Sequence, residues 1–398
     1  MLAAAAIAVV VVVTAVAIWW NSDARATSSR PATAPIPAPA AARSVPTVLA
    51  PLWTAPSPAS ATPVVVSGAV ITGDGRQMQG RDPLSGEVLW SYARGAQLCA
   101  VSWVYRYALA VYPDSRGCGQ VSAIDAGTGR RGPARSSYAD RQVSLSSDGS
   151  TVLSAGATRL ELWRSDLVRV LAYGEIDAPV KPSAHRVGSG CTLLSAAASS
   201  SAVSVLENCP GQPEADHHQM RLTLIRPAKE DDEPELHHLP QPEITGESGA
   251  RVLTVSGTRT AVYLPTPRPR VEVIDENGGT VASNLLAEPV TRSGAVARAG
   301  ELLTWWTGPT VVVFDAANLT YRYTISADES QTPLGPGTMM ADRLLIPVRG
   351  GIGVYDPATG HRERLIPVQR TAGEAAVIPA VSGTTVLEQR GTDLFALG

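Results

Sequence analysis

Lysine is nearly absent. Lys181 and Lys229 are its only occurrences, although Lys and Arg together number 33 in 398 residues. This arginine-for-lysine bias, with abundant alanine, suggests a GC-rich genome such as an actinobacterium's. Excess charge of either sign is also missing: the net charge is −3, and no basic field marks the chain as a nucleic-acid binder. Cysteines are few, and none is adjacent to another or in a C-x-x-C pair, so neither a zinc site nor a thiol-exchange motif is written. No cysteine follows the apolar start, which argues against a lipoprotein. Neither G-x-S-x-G nor H-E-x-x-H occurs. The run Gly350, Gly351, Ile352, Gly353 lacks the following helix that a phosphate loop needs. What is plentiful is Val, Thr, Ser, Gly and Pro (35 Gly, 31 Pro), which favours short strands and many turns.

The chain opens MLAAAAIAVVVVVTAVAIWW, and residues 2–20 carry no charge, Pro or Gly. At ~1.5 Å per residue they reach about 28 Å, enough for a bilayer core of roughly 30 Å. Trp19 and Trp20 fall where an interfacial aromatic belt would sit. We read 1–20 as a transmembrane signal-anchor. A cleaved signal peptide is the rival, with Ala24-Arg25-Ala26 as its small-residue site. Residues 21–46, NSDARATSSRPATAPIPAPAAARSVP, read as a Pro/Ala-rich disordered linker, with the folded domain starting near Thr47.

The four cysteines fall into two local pairs, Cys99 with Cys118 and Cys191 with Cys209, on segments that read as neighbouring antiparallel strands. Local pairing needs the least chain closure, though three pairings exist in principle. Two disulfides would place the domain in an oxidising compartment outside the membrane. The alternative is four unpaired cysteines buried as small hydrophobes.

The stretch GRDPLSGEVLWSYAR (80–94) recurs. Asp82 is followed four residues later by Gly86 and eight later by Trp90. Asp125 and Gly129, Asp275 and Gly279, and Asp356 and Gly360 repeat the first spacing, while Asp315 has Leu319 at the glycine position. Eroded copies lie around Arg164 and Arg226, and the chain stops in TDLFALG, the same strand cut off at its turn. The markers recur about every 41 residues, with one long interval that suggests an insertion around 208–245. A fixed period of this length means repeated supersecondary units. Each unit reads as a hairpin turn, an alternating strand, an Asp able to cap the turn, a Gly of positive φ, and a returning strand. Two hairpins per unit make a four-stranded antiparallel sheet with two apolar faces, so the units must stack radially.

The pattern resembles the repeat of quinoprotein-alcohol-dehydrogenase-like (PQQ-like) β-propellers, whose unit reads A-x-D-x-x-T-G-x-x-x-W. Residues 80–90, 123–133 and 353–364 carry the resemblance; Pro133 and Arg364 stand where two of the tryptophans would be. It implies an all-β propeller over residues 47–398. Eight markers imply eight blades, or seven if the 164 or 226 unit is not a blade. In the eight-blade reading TVLAPLW (47–53) completes the last one. Some relatives of this fold hold pyrroloquinoline quinone and calcium. They are longer, with a dedicated carboxylate and amide set and often adjacent cysteines. Nothing of that kind recurs here at blade spacing, so no cofactor or metal and no catalytic residue is expected.

The remaining features read as structural. His217-His218 and His237-His238 could face each other across a hairpin and hold a metal, but an exposed polar loop explains them better. The acidic run from Glu230 to Glu235 reads as a solvated turn, and PTPRPR (265–270) as a rigid loop with two arginines. Trp305-Trp306 puts one indole on each side of a strand, for packing or for one ring to stack on a sugar. The functional expectation is a monomeric, membrane-anchored extracytoplasmic propeller that scaffolds envelope-biogenesis or division proteins. A glycan or lipid carrier is the alternative, and a cofactor-dependent oxidoreductase is the least favoured.

Overall fold

Strand runs such as Val311–Phe314 are continuously apolar and buried, which requires neighbours on both faces of a sheet. Outer runs such as Tyr321–Ser326 alternate, with one face in solvent. The computed structural model shows how these demands are met. It describes all residues except 1, 21, 176–187, 211–218, 228–233, 289, 292–293, 328–330 and 371–375. Eight sheets stand around a ring. Blades 1–7 occupy 64–93, 100–136, 144–174, 192–240, 251–285, 295–326 and 338–367, and blade 8 occupies 377–397 together with 51–56. The seven-blade alternative is thereby excluded. A separate cluster of buried side chains fills each interface between successive blades. Val70, Leu387, Leu394 and Ala396 close the ring between blades 8 and 1.

Backbone hydrogen bonds close the ring as well. Pro51–Pro56 pairs antiparallel with Asp393–Leu397, so the final blade is built from both ends of the fold. Within the stretch 208–245, Gln219–Arg226 and Glu235–Pro240 are the third and fourth strands of blade 4.

The segment 21–46 departs most from expectation. Ser28–Arg30 pairs with Ser91–Ala93 as a fifth strand on blade 1. Residues 31–46, the strap, then cross one face of the disc. Ala32 N–H donates to Thr128 O (3.0 Å) and Ile36 N–H to Gly127 O (2.8 Å). Ile36 packs on the blade 1–2 core, and Val45 is buried in the blade 7–8 core. Arg364 binds the carbonyls of Val45 (2.8 Å) and Pro46 (2.9 Å). Proline-rich chain stays extended here because its few donors and its apolar side chains find partners on the turns beneath.

Preceding all this, Leu2–Trp20 is one apolar helix of 19 residues, long enough to cross a bilayer, and Arg25 lies 3.9 Å over the Trp20 ring.

Candidate functional site

Consecutive strands alternate in direction, so turns between first and second strands share a face with turns between third and fourth strands. The other turns and the blade-to-blade connections share the opposite face.

The Asp-x-x-x-Gly turns all lie on the strap face. Asp82 Oδ1 accepts from the amides of Leu84 (2.9 Å) and Ser85 (2.8 Å). Asp315 Oδ1 does the same for Ala317 and Asn318, and Asp356 Oδ1 for Ala358 and Thr359. Hydrogen bonds from these amides hold the Asp356 carboxyl below the usual range, and Asp315 is held low first by Arg322. Asp125 instead meets Thr128 Oγ1 and Arg106. Gly86, Gly129 and Gly360 have φ near +70°. Leu319 takes the same left-handed conformation at +62°. The Asp275 turn is one residue shorter, so the positive φ falls on Gly278 and not on Gly279.

These turns receive the preceding blade. Trp90 stacks on Gly129 and its Nε1 donates to Ala126 O (2.8 Å). Trp53 does so on Gly86, donating to Pro83 O (3.0 Å), and Tyr323 on Gly360, donating to Pro357 O (2.7 Å). Burial, then the Asp356 carboxylate, pushes the Tyr323 phenol up to about 12, so it remains a donor. Arg364 plays the part against the strap carbonyls at blade 8. His237 lies against Gly278 of blade 5, which gives that histidine a packing role. Sequence reasoning missed Tyr323 and His237 as docking residues; Tyr323 stands eight residues after Asp315, as Trp90 does after Asp82, whereas His237 has no such spacing.

The opposite face carries both disulfides. Cys99–Cys118 (Cα–Cα 6.1 Å) ties the entry of blade 2 to its third strand, not to a neighbouring one. Cys191–Cys209 (Cα–Cα 4.1 Å) joins neighbouring strands of blade 4. Beside it, Glu207 Oε1 accepts from Tyr173 (2.7 Å), Arg221 (2.8 Å) and Thr223 (2.6 Å). Burial and this carboxylate push the Tyr173 phenol above its usual range. Cys191, Cys209 and Glu207 are close enough to ligate a metal, but the two sulfurs are spent on each other. Two further buried clusters brace the same face: Glu161 with Arg135 and Arg159, and Glu388 with Arg370 and Arg390. Burial would raise the Glu161 carboxyl, but Arg135 and Arg159 outweigh it and hold it low. Exposed on this face are Arg76, Arg116 (paired with Asp114), Arg141, Arg268 and Arg349, together with Asp74, Glu243 and Glu247.

Other candidates dissolve. Trp305 and Trp306 are both buried, at 0% and 5% exposure, so neither indole offers a sugar platform. His217, His218 and residues 230–233 lie outside the described residues. His238 bonds Thr223 (2.9 Å), and burial with Arg221 holds its pKa low.

No protein-family model and no curated protein matches the chain. Solved structures do. BamB from Moraxella catarrhalis is 12% identical over 88% of this chain and 97% of that one, with a TM-score of 0.47. The C-terminal WD40 domain of Sif2 is 10% identical over 89% and 99%, at 0.51. A chain of the mitotic checkpoint complex is 11% identical over 89% and 93%, at 0.47. At such identities the Sif2 likeness speaks for propeller architecture alone.

Proposed function

We propose that this chain is a membrane-anchored, extracytoplasmic propeller that binds another cell-envelope or division protein and does not catalyse. The carrying observation is the asymmetry of the disc. One face is covered by the chain's own strap, while the other carries both disulfides and the exposed turns at Arg268 and Arg349. A rigid blade scaffold loses little entropy on docking. Its exposed arginines suit a partner segment rich in carboxylates. The disulfides support an oxidising compartment, and the helix Leu2–Trp20 supports the anchor. The propeller itself is read as a monomer. A glycan carrier loses its aromatic platform with the burial of Trp305 and Trp306.

The test is in-cell photo-crosslinking of the full chain with the photoreactive residue at Arg268, Arg349 or, on the strap face, Ala317. Capture of one envelope protein from the first two positions and not the third is expected. Capture only from Ala317 would assign docking to the other face, and no capture from any position would remove the scaffold reading.

A further inference from the structure

The path from the helix to the disc is short and ends at a defined corner. Seven residues, 21–27, separate Trp20 from Ser28. Fully extended they would span about 25 Å. They are not extended. Ser22 N–H and Oγ both donate to Trp19 O (3.2 and 2.8 Å), Arg25 N–H donates to Ser22 O (3.2 Å), and Asp23–Ala26 is one helical turn. Arg25 also lies 3.9 Å over the Trp20 ring, at the end of the helix.

Register fixes the side from which this tether enters. Ser28 pairs with Ala93 and Arg30 with Ser91, so the added strand runs from the far end of Val88–Ala93 towards the strap face. Ala93 leads into the blade 1–2 connection on the face opposite the strap. There a Cβ at Gly95 would come 2.9 Å from Ala26 Cβ, so the tether is seated against that connection. Leu98 N–H, from the same connection, donates to Gly75 O (2.8 Å) and ties it to the second turn of blade 1. The helix end is therefore delivered past the face opposite the strap. Bringing the strap face to the bilayer would make the tether run back along blade 1, whose six-residue strands are about 20 Å tall. That detour would use nearly its whole reach, and would break the Asp23–Ala26 turn and its seat at Gly95.

The loops at this corner carry groups that meet phosphate. Arg76 and Arg141 are exposed, as is Arg116, which pairs with Asp114 (3.4 Å). Asp74 is exposed beside Arg76, while Asp140 is half-buried and accepts from Thr158 and the Arg159 amide. Guanidinium groups bind phosphate oxygens by charge-assisted hydrogen bonds.

We propose that the blade 1–2 corner of the face opposite the strap rests on the phospholipid headgroup layer, with Arg76 and Arg141 against lipid phosphates and the strap turned away from the membrane. The proposal depends on the reading of Leu2–Trp20 as an anchor. Arg268, on blade 5 across the ring from blade 1, is left for a protein partner.

The full chain would be placed in nanodiscs of phosphatidylglycerol and headgroup-nitroxide phosphatidylcholine. A fluorescent residue would replace Gln97, in the blade 1–2 connection, or Leu84, on the strap face of the same blade; both positions are exposed. Quenching at position 97 should exceed that at 84 by roughly three-fold or more, given about 20 Å between the two faces. Arg76→Glu with Arg141→Glu should lower the signal at 97, as should raised salt. Equal quenching at both positions would mean that the disc stands on edge, and stronger quenching at 84 that the strap faces the membrane. Either result overturns the proposal, as does an unquenched position 97. A charge-reversed pair that quenches as the parent would overturn the contact between arginine and phosphate. Failure of the chain to enter nanodiscs would overturn the anchor and this orientation with it, whereas wrong quenching in loaded discs overturns the orientation alone.

Discussion

Trp53 lies on Gly86. A Cβ at position 86 would come 2.5 Å from Trp53 Cγ, and the indole Nε1 reaches Pro83 O across the turn. The contact joins the strand that completes blade 8 to the Asp-x-x-x-Gly turn of blade 1. It is thus the ring-closing member of a series that includes Trp90 on Gly129 and Tyr323 on Gly360.

Gly86→Ala should therefore cost more than Gly75→Ala. Both positions have positive φ, but position 75 has nothing within 4 Å. Gly75→Ala should cost about 1–2 kcal/mol from backbone conformation alone, and Gly86→Ala a further ~1–3 kcal/mol from the indole. Trp53→Ala should cost roughly 2–4 kcal/mol. Urea midpoints of the variants would check all three, and equal midpoints for the two glycine variants would remove the docking argument.

Glu161 predicts an acid limb. Its carboxyl is held below the usual range in the folded chain, so the stability it contributes is full above the unfolded value. That stability fades as pH falls through the ordinary carboxylate range to the lower folded value. Glu161→Gln should cost roughly 3–5 kcal/mol at neutral pH by stranding Arg159. It should also flatten the decline of Tm below about pH 4.5, measured by thermal scans against pH.

Each disulfide closes a loop of 18 or 19 residues. The chain-entropy estimate is about 3 kcal/mol for either. Paired Cys→Ser variants should each lose near that amount, and a non-reducing peptide map should show Cys99 with Cys118 and Cys191 with Cys209. Four alkylatable thiols in freshly isolated protein would defeat both the pairing and the compartment argument.

The strap should resist proteolysis. Ile36→Asp places a charge against the blade 1–2 core, and Arg364→Ala frees the carbonyls of Val45 and Pro46. Either change should expose residues 31–46 to limited proteolysis while the blades stay intact. Cleavage of the parent chain at the same rate would show that the strap is not held.

Much of this architecture is legible in the sequence. Asp and Gly at a fixed spacing specify a turn by local means: the carboxylate caps amides two and three residues on, and glycine accepts a left-handed φ. Repeating that turn near every 41 residues sets the blade count. Leu319, in the same conformation without glycine, shows that the period carried more information than the residue. Other features depend on partners remote in the chain. Whether residues 31–46 dangle or lie down is set by carbonyls at Gly127 and Thr128, by Arg364, and by the closeness that Gly68 and Gly383 permit. None of those leaves a mark in a proline-rich stretch without periodicity. The same holds for His237 as a stand-in for tryptophan, and for both disulfides sharing the face opposite the strap. Local hydrogen bonding, which a sequence writes directly, determined the blades; surface complementarity between distant segments, which exists only once the ring has closed, decided the faces.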